Sequence, residues 1–583
     1  MNSLLKLSFE RYGYNYDFLK SIHESRYGGK YIFKGEGEIL LKLEELRKTK
    51  SKVVILPDFD MDGISSGCVL YAGLSLLGFD CAIYAPNTNA GYGFEPKDID
   101  DILARWPDTK AILTCDVGAT CFAACRHAEK LGLTMLVTDH HPEAAEKRVA
   151  AYAVMDPARY DTDCDFIGIC GAYVAYHLVA TYAKMIGNEA VSYLIDRLSI
   201  FAMLGSCGDL MPVVYDTRNI IANGVKELNA LLDAEELSEY FKCDAAALPE
   251  AYRAPFDNIR KLHFWLVRNE RIAPGDVTDV DIGFTYCPMF NSVKRMGGSM
   301  DDLYDLLYHD HDNISDAAER LWELNAERKA LVAEEYARLV SDPEQKYAPY
   351  IYLSDCGKPG IFGLLAMKIM QGTGLPCFVL DRNSLTGSGR VPDVLPREIL
   401  EFKGVSMQGH SNAFGVSIKP KAIDLYREFV EDSVRSEMAR LIEAQGEIED
   451  IRPVIAMGAH PCYNGEYDLS VTRIDDYDVL FGYAVEIDRF RPFGKGFEEP
   501  EHIFKISRRD IKELRTMGAD NSHLRIGLDY NIRMVFFGGA SRCLEDIESE
   551  TDPDRVYKFA GRFSINEYAG SRSLQFMISD RLQ

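Results

Sequence analysis

Three acidic clusters, each directly after a short apolar run, constrain this chain more than any other feature of its sequence. The runs at 53–56, 111–113 and 135–137 have the length and composition of buried parallel strands. The residues that follow them are Asp58, Asp60 and Asp62, then Asp116, then Asp139 with His140 and His141. In an open α/β sheet, ligands bind at the carboxyl ends of the strands. We therefore expect these side chains to gather at one edge of a parallel sheet.

Such a concentration of negative charge is unfavourable unless cations offset it. Carboxylates and imidazoles are natural ligands of divalent metals. The first cluster alone could be a turn or a calcium loop, but an EF-hand loop counted from Asp58 needs Glu at its twelfth position, where this chain has Val69. The cluster at 139–141 alone is more often a polar loop than a ligand set. The ordered series after three strands favours a metal centre.

Bulk composition narrows the class of protein. At 583 residues the chain exceeds a single hydrophobic core, so we expect several domains. The net charge of −25 argues against general nucleic-acid binding, although it allows a nuclease with a basic channel. The 14 cysteines form no CxxC pair, which predicts reduced thiols, a cytoplasmic location and no zinc site. The first ten residues lack the apolar core of a signal peptide, and we expect no membrane span.

The pattern of apolar residues predicts an α/β protein of several parts. The predicted parts are an N-terminal extension at 1–50, an α/β domain at 51–315, a linker helix at 316–342, a second α/β domain at 343–448 and a small β-barrel at 449–583. A fourth acid, Asp209, follows the apolar segment 198–204. Asp209 is either a further metal ligand or the cap of a helix.

Together these residues resemble the DHH phosphoesterase superfamily, and within it the RecJ single-strand exonucleases, from about residue 50 to the end. The segment 58–63, Asp116, the segment 139–141 and the segment 208–212 resemble the four metal-binding motifs. The segments 283–297, 387–390, 409–415, 491–496 and 561–580 are similar to later RecJ signatures. The resemblance implies two α/β catalytic domains, DHH and DHH-associated, linked by a helix and followed by an OB-type β-barrel.

The resemblance also implies a two-metal site. Its expected ligands are Asp58, Asp60, Asp62, Asp116, His140 and Asp209. Asp116 is the candidate bridge between the ions, which would activate a water and neutralise charge on the phosphate. The nitrogen of His140 favours Mn²⁺, with Mg²⁺ as a possible substitute. Asp139 and His141 would orient the ligands or contact phosphate.

The expected substrate contacts come from several segments. They are Ser388, Gly389, Arg390, His410, Arg295, Asn291 and Tyr92. Arg390, on a loop between glycines, is the candidate phosphate clamp because a guanidinium pairs with two oxygens at once. Its alternative is a surface arginine beside a flexible turn. An isolated His410 would more often be structural, and Tyr92 either stacks on a base or packs internally. Weaker candidates are loops near 508–509 and 523–525 in the barrel.

Four departures from RecJ lie around the substrate rather than the metals. The segment before Tyr92 is short and lacks an arginine, and Met289, the pair 358–359 and Val391 replace usual residues. These departures bear on the preference for a 5′-phosphate and not on hydrolysis.

The resemblance implies a metal-dependent exonuclease that degrades single-stranded DNA from 5′ to 3′ and releases nucleoside 5′-monophosphates in DNA repair or recombination. The expected form is a monomer without membrane contact, with single-stranded DNA and single-strand-binding protein as partners. One alternative is a phosphodiesterase for short or cyclic oligonucleotides, which the missing arginine favours and the barrel disfavours. Another is a catalytically silent replication or repair scaffold, which would predict eroded metal motifs.

Overall fold

The structure is a computed structural model that describes residues 3–23, 33–84, 93–142, 148–159, 164, 166–298, 300–309, 311, 313–392, 395–409, 412–445, 468–469, 474–518, 521–568 and 571–582. The chain forms two compact units. One unit consists of Met1–Ile22 with Glu449–Gln583, and the other consists of His23–Ile448. The domain boundaries expected from the sequence stay predictions.

The strands are β1 (Lys52–Pro57), β2 (Cys81–Ile83), β3 (Thr109–Cys115), β4 (Thr134–Thr138), β5 (Ala153–Met155), β6 (Ile351–Ser354), β7 (Cys377–Asp381), β8 (Thr386–Arg390), β9 (Val405–Gly409), β10 (Ala413–Ile418), β11 (Asp468–Leu469), β12 (His502–Ser507), β13 (Ile511–Met517), β14 (His523–Leu528), β15 (Arg533–Phe536), β16 (Val556–Tyr568) and β17 (Ser571–Arg581).

The α-helices are α1 (Ser3–Arg11), α2 (Tyr16–His23), α3 (Glu36–Lys48), α4 (Met61–Leu76), α5 (Pro96–Arg105), α6 (Phe122–Lys130), α7 (Gly171–Ile186), α8 (Glu189–Arg197), α9 (Ser199–Gly208), α10 (Tyr215–Asp233), α11 (Leu237–Phe241), α12 (Glu250–Arg268), α13 (Asp279–Asp281), α14 (Cys287–Met296), α15 (Asp301–Tyr308), α16 (Ser315–Ser341), α17 (Phe362–Thr373), α18 (Ile423–Gln445), α19 (Ile474–Ile487) and α20 (Ala540–Ser549). A π-helix at Ile282–Tyr286 leads into α14.

The first sheet is parallel and has the strand order β2-β1-β3-β4-β5. Val53 and Ile55 of β1 face one apolar cluster, which includes helices α4, α7 and α9. Val54 and Leu56 face the opposite cluster, which includes α5 and α6. Burial on both faces explains why each predicted strand is a continuous apolar run. Because β1, β3 and β4 are adjacent, their carboxyl ends lie side by side.

The stretch Glu189–Gly208 corrects one expectation from the sequence. By length and composition alone it could cross a membrane, with a mean hydropathy of 1.3. It therefore contradicts the expectation that no run approaches a span. In the structure the stretch forms α8 and α9, and 61% of this apolar window is buried in the fold. Burial of Ile200, Phe201 and Leu204 among the helices packed on α9, mainly α4, α7 and α10, accounts for the hydropathy.

The second sheet has the order β6-β7-β8-β10-β9, with β6 and β7 parallel and the other pairs antiparallel. The expected loop at 387–390 is wrong, because these residues lie in β8. Its glycines permit close packing: a Cβ at Gly387 would lie 2.0 Å from the carbonyl oxygen of Val379. A Cβ at Gly389 would lie 2.5 Å from the ring of Phe414. Arg390 therefore projects from a strand and not from a flexible turn.

The C-terminal unit contains a sheet of order β11-β12-β16-β17-β15-β14-β13. Phe504, Phe563 and Phe576 contact one another in its core. Residues 523–525, expected in a loop, lie in β14. Arg509 lies in a short 3₁₀-helix and pairs with Asp554. The predicted α/β fold class with a β-rich C-terminal domain is confirmed.

Candidate metal centre

Asp58 directly follows β1 and lies at the bottom of the site. Its backbone N–H donates to the carbonyl oxygen of Cys115 at the end of the adjacent strand β3. Its side chain is 1% exposed, and among the described residues neither carboxylate oxygen has a hydrogen-bond partner. Burial and the negative charge of Asp60 raise the pKa of Asp58 to about 7. The site therefore holds a buried carboxylate whose oxygens are available as ligands.

Asp60 begins helix α4. Its Oδ1 accepts hydrogen bonds from the N–H groups of Asp62 and Gly63, each at 3.1 Å, so the side chain is an N-cap. The other oxygen, Oδ2, lies 3.7 Å from Nζ of Lys294. Burial opposes ionisation of Asp60, but the charge of Lys294 and the bond from Gly63 outweigh it and lower the pKa. The cap fixes one oxygen and directs the other toward the cavity.

Asp62, on the first turn of α4, is bound to the start of helix α7. Its Oδ2 accepts from the N–H of Gly171 at 2.7 Å, and its Oδ1 accepts from the N–H of Ala172 at 2.9 Å. A helix N-terminus favours negative charge, which stabilises this buried carboxylate. Oδ2 is also 3.6 Å from Nε2 of His140. Asp62 thus orders α7 and offers an oxygen to the same point as His140.

Asp116 lies between the other acids, after β3. Its backbone has φ of 63°, a left-handed conformation that is uncommon for a residue other than glycine. Oδ1 of Asp116 is 3.1 Å from Nε2 of His140, yet neither atom has a hydrogen-bond partner among the described residues. Burial and the charge of Asp62 raise the pKa of Asp116 well above its usual range. Two buried ligand atoms that face each other in this way suit a bound cation.

Asp139 orients the loop after β4. Its Oδ2 accepts from the N–H of Ala119 at 2.8 Å. Its Oδ1 accepts from the N–H groups of His140 (2.8 Å) and His141 (3.2 Å), and it lies 2.9 Å from Nδ1 of His141. Burial opposes both charges, but this pairing lowers the pKa of Asp139 and raises that of His141 to about 9. Burial and the charge of His141 lower the pKa of His140.

Asp209 closes the site from helix α9. It is the C-cap residue of α9, as one of the two expectations for it required, and its role as a metal ligand stays a prediction. Its Oδ2 is 3.8 Å from Nε2 of His140 and has no hydrogen-bond partner among the described residues. Burial and the charge of Asp62 raise its pKa well above its usual range. A Cβ at Gly205 would lie 2.3 Å from Oδ1 of Asp62, so α9 approaches Asp62 only because this position is glycine.

The candidate ligand atoms form overlapping groups. Three sets have ligand atoms within 4.8 Å of one another: Asp58, Asp60 and Asp116; Asp62, His140 and Asp209; and Asp116, His140 and His141. Asp116 and His140 each belong to two of these sets. The unpartnered buried atoms of Asp58, Asp116, His140 and Asp209 are the strongest sign of fit, because buried polar groups without partners are rare.

A cavity of about 820 Å³ opens beside these acids. Asp60, Asp62 and Asp209 line the cavity, and α14, residues 359–363 and the second sheet supply most of the rest. Arg390 lines the cavity and donates from Nη1 to Oγ of Ser388 and to the carbonyl oxygen of Gly389, each at 2.8 Å. A Cβ at Gly363 would lie 2.6 Å from Nη2 of Arg390, so this glycine makes room for the guanidinium.

The sequence interpretation predicted Ser388 and Arg390 but missed the other polar residues of the same wall. Alternate residues of three antiparallel strands line the cavity: Thr386, Ser388 and Arg390 of β8; Ser406 and Gln408 of β9; and Gly415 and Ser417 of β10. Gly415 is paired with Ser388 on one side and Gln408 on the other. The period-two alternation of small polar residues was the available signal. The wall offers hydroxyl and amide groups to a polar ligand.

The positive charge of the cavity comes from α14 and its surroundings. Arg295 and Asn291 line the cavity together with Lys294. Burial and the charges of Arg328 and Arg390 lower the pKa of Arg295 to about 10. A cavity lined by Lys294, Arg295 and Arg390 suits an anionic ligand.

Three predicted substrate contacts remain, namely Tyr92, His410 and Gly389. Tyr92 and His410 lie outside the described residues. Gly389 lies between the rings of Phe378 and Phe414, so its contribution is close packing behind Arg390.

Comparisons with known proteins agree with this geometry. The family model for the DHH family, N-terminal domain, matches residues 52–205, and the model for the RecJ OB domain matches residues 473–580. The chain is 22% identical over 565 residues to the single-stranded-DNA-specific exonuclease RecJ of Bacillus subtilis, covering 94% of this chain and 64% of that protein. It thus spans less than two thirds of the length of this relative.

Two further comparisons extend this result. The chain is 25% identical over 577 residues to the single-stranded-DNA-specific exonuclease RecJ of Escherichia coli, covering 91% of this chain and 87% of that protein. The crystal structure of RecJ in complex with Mn²⁺ from Thermus thermophilus superposes with a TM-score of 0.69 at 19% identity, covering 100% of this chain and 76% of that one. At this identity the structural likeness shows the fold.

Proposed function

We propose that this divergent, RecJ-like member of the DHH phosphoesterase superfamily is a divalent-metal-dependent exonuclease that degrades single-stranded DNA. The observation that carries the proposal is the set of buried, unpartnered ligand atoms on Asp58, Asp116, His140 and Asp209 beside a polar cavity. Buried carboxylates without hydrogen-bond partners are costly unless they bind a cation. Their presence therefore disfavours the catalytically silent scaffold, which would not need them.

The acids and His140 would hold two ions, Mn²⁺ in preference to Mg²⁺ because a nitrogen ligand suits Mn²⁺ better. When bound, such ions activate a water for attack on phosphorus and neutralise charge on the phosphate. Asp116, like His140, belongs to two of the ligand sets and would help to hold the ions. Asp139 fixes the backbone of His140 and the ring of His141, so this loop and the His141 imidazole are oriented before substrate arrives.

The polar wall of the cavity, formed by β8, β9 and β10, would recognise the DNA strand. Arg390, held by Ser388, would bind a phosphate through two N–H groups, and Arg295 would add a second guanidinium. Lys294 and Asn291 lie between this wall and the acids. The phosphate groups of a strand could therefore reach the metal ligands and the guanidiniums together.

Single-stranded DNA is the substrate that the relatives support. The proteins similar to this chain carry the name single-stranded-DNA-specific exonuclease, and the C-terminal unit matches the RecJ OB domain. We further propose cleavage from 5′ to 3′ with release of nucleoside 5′-monophosphates, action as a monomer, a role in repair or recombination, and single-strand-binding protein as a partner.

The test is hydrolysis of one long single strand, labelled separately at each end, with Mn²⁺ and with or without a 5′-phosphate. We expect immediate mononucleotide release from the 5′ end while duplex DNA is spared. Asp116→Ala should abolish the activity, whereas the exposed Asp233→Asn on α10 should retain it. Survival of the long strand with cleavage of dinucleotides would replace this proposal by the small-oligonucleotide phosphodiesterase. Silence of the wild-type protein on every substrate would favour the scaffold.

A further inference from the structure

Lys294 lies on helix α14. Among the described lysines and arginines, it is the one that forms an ion pair with a proposed metal ligand. Its Nζ lies 3.7 Å from Oδ2 of Asp60 and 3.9 Å from the centre of the Phe59 ring. Phe59 is buried, so this ring is a fixed platform for the ammonium group. The lysine also lines the cavity beside Asn291 and Arg295.

The contact with Asp60 involves the oxygen that a metal would use. Oδ1 of Asp60 is committed to the N–H groups of Asp62 and Gly63, where it caps helix α4. Oδ2 is the oxygen that faces Lys294. Asp60 also belongs to the ligand set with Asp58 and Asp116. The ammonium group of Lys294 and a divalent ion would therefore compete for the carboxylate of Asp60.

The charge of Lys294 reaches beyond this one pair. Burial is the largest influence on the pKa values of Asp58, Asp60 and Asp209, and in each case the positive charge of Lys294 acts to lower the pKa. The lysine thus offsets part of the negative charge of the whole cluster. The same charge repels an incoming cation.

We propose that Lys294 is a built-in counter-ion of the metal centre. It holds Oδ2 of Asp60 while the centre lacks metal, and it contacts a phosphate of the strand once ions and substrate are bound. A lysine suits this exchange because its ammonium is a compact charge on a flexible stem. The inference rests on the proposed nuclease function, and it adds a substrate-contacting residue whose effects on metal binding and on turnover have opposite signs.

Replacement by an uncharged residue of similar length separates the two effects. In Lys294→Met, the repulsion of the incoming ion is lost, so we expect Mn²⁺ to bind with a dissociation constant lower by about five- to twentyfold. The phosphate contact is lost as well, so kcat/KM on single-stranded DNA at saturating Mn²⁺ should fall by about tenfold or more. A purely structural lysine, packed on Phe59, would instead weaken metal binding and activity together.

The experiment is calorimetric titration of the full chain with Mn²⁺, without nucleic acid, at about 0.15 M salt, where distant charges are screened. Lys294→Arg keeps the charge and should bind Mn²⁺ like the wild type. Lys346→Met removes the exposed lysine that pairs with Asp424 and controls for overall charge. Lys294→Gln serves as a second neutral variant should Lys294→Met fail to fold.

The outcomes separate this inference from the function on which it rests. If the wild type takes up no Mn²⁺, the proposed function fails, and the counter-ion role fails with it. If the wild type binds Mn²⁺ but both neutral variants bind it equally or less tightly, only the counter-ion role is overturned. If they bind more tightly and keep full kcat/KM, the contact with the strand is overturned.

Discussion

The hydroxyl of Tyr14 accepts a hydrogen bond of 2.9 Å from the backbone N–H of Glu498, which lies 484 positions further along the chain. Two residues earlier, the hydroxyl of Tyr12 accepts from the N–H of Glu501, also at 2.9 Å. Both tyrosines belong to the segment that joins α1 and α2. The first residues of the chain are therefore part of the C-terminal unit, and its free energy of unfolding should depend on them.

Phe9→Ala should destabilise the C-terminal unit. Phe9 is 1% exposed, and its ring lies 4.8 Å from that of Phe490. Loss of this buried ring leaves a cavity and costs about 3–5 kcal/mol. We expect faster amide hydrogen exchange in β12 and β16, the paired strands of this unit. The exposed Tyr16→Ala on α2 is the matched control. Equal protection of β12 in both variants would show that α1 merely lies on the unit.

His502 should make the C-terminal unit sensitive to acid. It is fully buried and shares a hydrogen bond of 2.9 Å with the hydroxyl of Tyr483. Burial and the charge of Arg11 lower its pKa to about 3. Between pH 6.5 and about 3 the unfolded chain binds a proton at this histidine and the folded chain does not. The contribution of His502 to the stability of the unit is therefore fully present above pH 6.5, and it is lost as the pH falls through this window.

The measurement is urea unfolding of the wild type and of His502→Gln. Glutamine is neutral and can still form a hydrogen bond with the hydroxyl of Tyr483. The wild type should lose about 1.4 kcal/mol per pH unit more than the variant between pH 6 and 4. His523→Gln, a half-buried histidine of the same unit, is the control. Parallel slopes for the wild type and His502→Gln would mean that His502 protonates within the folded protein.

The sequence predicted that the candidate metal ligands lie together because their positions follow from topology. Asp58, Asp116 and His140 each come after an apolar run, and parallel strands bring the ends of such runs to one edge. Motif order then suggested Asp209, although its neighbours form a helix and not a strand. Local patterns encode these features, so one sequence sufficed for the fold class and for the candidate site.

The features that the sequence could not supply depend on contacts between distant segments. The glycines beside Arg390 were interpreted as a flexible loop, whereas Gly387 packs against a neighbouring strand. The contact of Lys294 with Asp60 joins two elements more than 200 residues apart. The bond from Glu498 to Tyr14 crosses almost the whole chain. No local periodicity distinguishes such partners from other tyrosines or lysines.

Most substitutions in a protein core lower the melting temperature, but Asp116→Asn should leave that of the metal-free protein unchanged or raise it. In the metal-free protein Asp116 is a buried carboxylate beside Asp62, and its raised pKa reflects the cost of its charge. The neutral amide removes that cost, so the variant should melt at or above the temperature of the wild type in EDTA. At about one hundred times the dissociation constant, Mn²⁺ should stabilise the wild type by about 2.7 kcal/mol and the variant far less. Differential scanning fluorimetry with and without Mn²⁺ checks both. A variant that melts well below the wild type in EDTA would contradict this account.

Gly363→Ala should impair substrate binding without touching the metal ligands. A Cβ at this position would lie 2.6 Å from Nη2 of Arg390, so the guanidinium must move away from Ser388. We expect kcat/KM on single-stranded DNA to fall by about ten- to a hundredfold, mainly through KM, with the affinity for Mn²⁺ unchanged. Gly372→Ala, on the same helix, is the control, because its Cβ would lie an ordinary 3.4 Å from the hydroxyl of Tyr336. Steady-state kinetics and Mn²⁺ titration of both variants provide the test. Full activity of Gly363→Ala would remove Arg390 from the strand-binding wall.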